Sequence, residues 1–162
     1  MFNKLVNITD TLTKVGLNIF LIFLTMLISI DVFLRYVVGR PTPFAEELGR
    51  YCLVWVGFLG ASLAIKHGSH ISVFLFYDHF PKIIRNFCGL IALLSVLSFL
   101  VILLVTSIMF IPTQIDQISP SLGISLFWAY LSVPVGSILM IIQVIRKIVE
   151  LRCSLKREEG AN

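Results

Sequence analysis

Charge is what this sequence has least of. Asn86 to Ile115 is thirty residues without a formal charge, and Gln117 to Ile145 is another twenty-nine. Charged residues make up 14% of the chain, against roughly 25% in an ordinary globular domain. Cysteine is scarce too: Cys52, Cys88 and Cys153 form an odd set that implies no disulfide framework. The chain has no nucleophile elbow, phosphate loop, zinc motif or pair of catalytic carboxylates, so its motifs point away from an enzyme. It also lacks an internal repeat or a pair of interrupted helices, which speaks against a complete secondary transporter in one chain.

What is present is hydrocarbon. Two further apolar runs join those already described: Val15 to Val38, which carries only Asp31 and Arg35, and Tyr51 to Ile65, which Leu48 and Gly49 extend past Arg50. About 20 apolar residues cross a bilayer as a helix. A soluble fold of 162 residues has too little interior to hide this much apolar surface. Backbone groups in lipid must be satisfied internally, and runs this long and continuous do so as helices rather than barrel strands. The expected fold class is therefore all-α integral membrane: one domain over residues 1–162, with four spans at about 15–38, 46–65, 84–111 and 122–145 and a tail over 146–162.

The few cations are placed unevenly. Lys4, Lys14, Lys66, Lys82, Arg85, Arg146, Lys147, Arg152, Lys156 and Arg157 fall on one side of the expected membrane, ten of the thirteen Lys and Arg. Arg35, Arg40 and Arg50 fall on the other. The positive-inside rule then puts both termini in the cytoplasm. The basic tail suits anionic lipid headgroups, and no nucleic-acid partner is implied. The first span, followed by Asp31-Val32-Phe33 rather than a small-residue cleavage site, reads as a retained span that also serves for targeting.

Several local features carry expectations. Residues 1–14 read as a short interfacial helix. Gly39-Arg40-Pro41-Thr42-Pro43 is a tight connector, because two prolines cannot continue a helix. Ile71 to Pro81 is apolar, aromatic and too short to span, so it reads as a segment lying in the interface. Pro134 predicts a kink near the middle of span four. Phe127, Trp128 and Tyr130 suit an aromatic belt. Ser95, Ser98, Thr106, Ser107, Ser132, Ser137 and Gln143 read as interhelical hydrogen-bonding groups. His67, His70, His79 and Asp78 have a spacing too weak to define a metal site, and local hydrogen bonding explains them better. No cofactor is assigned.

The candidate site is a set of charges at the outer ends of spans one and two. Asp31 and Arg35 are four apart, as are Glu46 and Arg50, and Glu47 lies three before Arg50. These spacings put each pair on one helix face. The short connector makes the two spans antiparallel neighbours, so the five residues are expected to face one another, with Arg40 above them. Three acids and three bases cancel, and they sit at the membrane periphery. A neutral structural or docking cluster fits better than an ion path. Gly57, Gly60, Ala61 and Ala64 form a small-residue stripe that lets another helix approach, either within the protein or from a partner.

Glu46-Glu47-Leu48-Gly49-Arg50, then Trp55 to Ala61, then Ala64-Ile65-Lys66-His67-Gly68-Ser69-His70-Ile71 resemble one family in their order. Arg35, Ser119 to Ile124, Trp128, Tyr130 and Pro134-Val135-Gly136 extend the resemblance, from about residue 15 to 146. The family is the small, DctQ-like membrane subunit of tripartite ATP-independent periplasmic (TRAP) transporters. Ser125 departs from it, since many members have proline there. The resemblance implies a non-transporting scaffold in a bacterial inner membrane, beside a large elevator-type membrane subunit. It also implies a periplasmic substrate-binding protein, a sodium gradient, and an organic acid cargo such as a sialic acid or dicarboxylate. Lys66, Gly68 and His70 are then family-motif residues at the cytoplasmic exit of span two. Arg40, Asp116 and Ser119 are the residues expected to be open to the binding protein. The rival is a self-sufficient four-helix exporter of drugs acting as a homodimer. It is disfavoured because Asp31 is paired and peripheral rather than free at the midplane.

Overall fold

The computed structural model describes residues 2–40, 42–66 and 82–159. Its long elements are helices: α1 (Phe2–Phe33), α2 (Pro43–Lys66), α3 (Lys82–Phe110), the short α4 (Phe127–Tyr130) and α5 (Ser132–Glu159). Four stretches are long and apolar enough to cross a membrane: Thr9–Val38, Pro43–Lys66, Cys88–Gln114 and Phe127–Leu151. Among the described residues the only β-type pairing is an isolated bridge between Ile118 and Ser125.

Helix α1 begins well before Val15, so residues 2–14 belong to it and are not a separate interfacial helix. Its far end widens into a π-turn over Leu34–Val38. The Gly39 N–H donates to the Leu34 carbonyl from a left-handed backbone (φ 69°), which a side chain would strain, and the Arg40 N–H donates to the same carbonyl at 3.2 Å. Pro43 then opens α2, where its missing N–H costs no helical bond.

Span four starts later than 122. Residues 115–126 form a compact loop, closed by Ser119 N–H to Ile124 O (2.8 Å) and Leu126 N–H to Gln117 O (2.9 Å). Gly123 turns there with φ 68°. Ser125 supplies what a proline would not. Its hydroxyl lies 3.0 and 2.9 Å from the carbonyls of Gln114 and Ile115, and it accepts the Phe127 N–H at 3.1 Å. Close to the kink expected at Pro134, span four is interrupted at Leu131, between α4 and α5. Pro134, the third residue of α5, has no N–H to give the Tyr130 carbonyl four residues earlier, and the interruption falls just ahead of it.

The long helices stand in a row, α1, α2, α5, α3, with extensive backbone proximity only between neighbours. This is an open arrangement, not a closed bundle. None of the most apolar stretch of α1 is buried within the protein, against 44% of that of α5. The core lies where α2, α5 and α3 meet: Ile65, Leu100, Met140 and Val144, with Phe58, Leu93 and Leu97 against them. The close approach of α2 to α5 depends on Gly136, because a Cβ there would sit 2.5 Å from Phe58 Cβ.

The hydroxyls expected to link helices mostly do not. Ser98, Ser107, Ser132 and Ser137 each donate to a carbonyl three or four residues earlier in their own span. In lipid this satisfies the hydroxyl without a second helix. Gln143 is the exception.

Candidate functional site

The hairpin end of the molecule holds the residues singled out from the sequence. Asp31 Oδ2 accepts from Arg35 Nη2 at 3.1 Å, one helical turn on. Its other oxygen accepts the Thr42 N–H at 3.2 Å and the Thr42 hydroxyl, which fastens the connector onto α1. Glu46 and Arg50 pair at 2.5 Å along α2, with 60% and 70% of their side chains exposed. Glu47 points elsewhere. It accepts the Ser119 hydroxyl and, at 3.2 Å, the Ser121 N–H, and so ties the start of α2 to the 115–126 loop. The expected single network is therefore three separate attachments. Asp31, Glu46 and Arg50 still share one open cleft of about 260 Å³ between α1 and α2.

Arg40 and Asp116 are exposed at this end. Ser119 is not: it is 2% exposed, and its hydroxyl also accepts the Leu122 N–H at 3.1 Å. The expectation that Ser119 is open to a binding protein is thus corrected, because Glu47 draws the hydroxyl inward. Below this level Trp55 stacks on Phe20 (5.4 Å) and donates its indole N–H to the Trp128 carbonyl at 3.0 Å.

The small-residue stripe faces outward. Gly57 and Ala61 are exposed, Gly60 and Ala64 half-buried, and an added Cβ on Gly57 or Gly60 would meet nothing within 4 Å.

The opposite end, which holds both termini, carries a cluster the sequence reading did not single out. Asp10 is 2% exposed. It pairs with Lys66 at the end of α2 and accepts from the Gln143 amide of α5. Arg146 Nη1 lies 3.6 Å from the same carboxylate, while Arg146 Nε donates to Glu150 at 2.9 Å. Lys147 donates to the Ile65 carbonyl at 3.3 Å, satisfying an end group of α2. One buried acid thus joins three helices. Lys66, expected as a motif residue, belongs to this cluster. Gly68, His70, the other histidines and the segment 71–81 lie outside the described residues.

Four apolar helices with ionic clasps at both ends define an architecture, and the family model for the DctQ component of tripartite ATP-independent periplasmic transporters matches residues 24–154. The chain belongs to this family. Over 156 residues it is 26% identical to the sialic acid TRAP transporter small permease protein SiaQ of Vibrio cholerae, covering 93% of this chain and 86% of SiaQ. It is 30% identical to the ectoine TRAP transporter small permease protein TeaB of Halomonas elongata over 113 residues, 67% of this chain and 58% of TeaB. It is 29% identical over 105 residues to the isethionate TRAP transporter permease protein DctMQ of Oleidesulfovibrio alaskensis. That match takes 64% of this chain but only 16% of DctMQ. These relatives are transporter permease proteins and not enzymes.

Within this DctQ-family chain the residues just described divide by role. Asp31 and Glu47 hold the hairpin end together, Glu46 and Arg50 pair with each other at its surface, and Gly136 permits the α2–α5 contact. Asp10 lies upstream of the matched range. Its only signal in the sequence was that it is the single acid in the first thirty residues, facing the cation-rich side.

Proposed function

We propose that this chain is the small, non-transporting subunit of a binding-protein-dependent, sodium-driven transporter of TRAP type. It anchors and steadies a large membrane subunit, as a single multi-pass domain of a bacterial inner membrane with both termini in the cytoplasm. The cargo class is a small organic acid delivered by a periplasmic binding protein. The named relatives, which serve sialic acid, ectoine and isethionate, support that breadth.

One observation carries the scaffold reading: every carboxylate on α1 and α2 is engaged. Asp10 has Lys66 and Arg146, Asp31 has Arg35 and Thr42, Glu46 has Arg50, and Glu47 has Ser119 and Ser121. A self-contained exporter of the rival kind needs a carboxylate free to bind and release its coupling ion. The orientation is supported by Lys66, Arg146 and Lys147, which gather at the end holding the termini.

Reconstitution tests this. Liposomes holding the purified chain alone should show no solute uptake under a sodium gradient. Adding the large subunit and the binding protein should give uptake. Transport by the chain alone would overturn the proposal.

A further inference from the structure

Helix α2 sits inside the row, yet one of its faces is bare. Glu46, Arg50, Leu53, Gly57 and Ala61 recur at helical spacing and are all exposed. The outward faces of α1 and α3 differ from it in kind. They are dominated by large apolar side chains, Ile19, Ile22, Met26 and Ile30 on α1 and Phe99, Ile102, Val105 and Ile108 on α3, and the polar residues exposed among them, such as Asn18, Thr25, Ser98 and Thr106, carry no charge. They suit lipid tails.

The α2 face does not. Arg50 is sixteen residues before Lys66, so at ~1.5 Å per residue the two are about 24 Å apart along the helix. With Lys66 at one edge of a ~30 Å hydrocarbon core, Arg50 lies some 6 Å inside the other edge. There its guanidinium is bonded to Glu46 through one nitrogen only among the described residues, and 70% of its side chain is exposed. A guanidinium has five N–H donors. Donors left bare in hydrocarbon are costly, and intramembrane charges face protein for that reason. Small side chains alone would not mark a contact; the half-satisfied arginine does.

From this we infer that the α2 face from Glu46 to Ala61, together with the cleft walled by Leu24 and Ile28, seats a transmembrane helix of the long permease partner. That helix presents a hydrogen-bond acceptor to Arg50. The occupant follows from the relatives. The 105 residues of this chain that match the isethionate permease DctMQ cover 16% of it, so there a similar stretch is covalently part of a much longer permease. A second copy of this chain fits less well, since its own α2 would bring another arginine to Arg50. The inference rests on the subunit reading above.

Photo-crosslinking decides it. The chain is produced with its permease partner, carrying p-benzoylphenylalanine either at Leu53 or, as a control that is also exposed, at Val105 of α3. Irradiated membranes should yield an adduct from Leu53, identified by mass spectrometry as the long permease, and none from Val105. An adduct from Val105, or from neither position while the proteins still copurify, would overturn the assignment and leave the subunit reading standing. If the unmodified chain does not copurify at all, the subunit reading itself fails. In parallel, Arg50→Gln should lower recovery of the complex by about tenfold without moving the unfolding midpoint of the chain alone. Undiminished recovery would count against the role of Arg50.

Discussion

The two ends of this molecule handle charge in opposite ways. At the end holding the termini, Asp10 is buried and its partners come from α2 and α5. At the hairpin end, the two pairs with helical spacing, Asp31–Arg35 and Glu46–Arg50, are formed within one helix each. An ion pair one turn apart in a single helix constrains only that helix. A buried acid shared by three helices constrains their arrangement, and leaving its cations without it is expensive. The cluster most visible in the sequence is therefore the less important for holding the row together, and the one centred on Asp10, in the third turn of α1, is the clasp.

This contrast can be broken by experiment. Asp10→Ala should have the largest effect, a loss of about 3 kcal/mol in the unfolding free energy of the purified chain in detergent. That is the low end for a broken buried pair, because Lys66 and Arg146 keep some exposure. Gly136→Ala, midway between the ends, should cost about 1–3 kcal/mol by forcing Phe58 aside. A cost near zero would mean that α2 and α5 separate easily.

Glu47→Gln comes next, at about 1 kcal/mol, since an amide replaces the charge but still accepts from Ser119 and Ser121. Protease cleavage within 115–126 should become faster in parallel. Smallest of all is Arg50→Ala, which should leave the unfolding midpoint of the isolated chain where it was. If Arg50→Ala destabilised the isolated chain more than Asp10→Ala, the comparison would be reversed. A double-mutant cycle refines it further: Asp10 and Lys66 should couple by about 1 kcal/mol or more, and Glu46 and Arg50 by about 0.5 kcal/mol or less.

Much of the architecture is legible in the order of the residues. Four apolar runs predicted four helices, and Gly39 with Pro43 predicted the sharp connector. Asp31–Arg35 and Glu46–Arg50 follow directly from helical spacing. Three features were not legible. Glu47 lies three residues from Arg50 and so suggested a local partner, but the 115–126 loop offers it a hydroxyl and an N–H that no spacing rule reveals. Asp10 sits in a stretch that reads as polar and peripheral, and only the packing of α1 beside α2 and α5 buries it. The stripe of Gly57, Gly60, Ala61 and Ala64 allowed packing inside or outside the protein, and the row leaves it outside while Gly136 takes the close contact.

The amino-acid sequence alone determined that this chain lives in a membrane, that it crosses as helices, and where its short-range ion pairs form. Those outcomes depend on hydrocarbon length and on residues three or four apart. Tertiary structure alone decided which acid is buried, which glycine touches another helix, and that the helices stand open rather than closed. Those outcomes depend on groups 56 to 133 positions apart, as in Asp10 with Lys66 and Gln143, and no local pattern specifies which distant groups the packing of apolar faces will bring together.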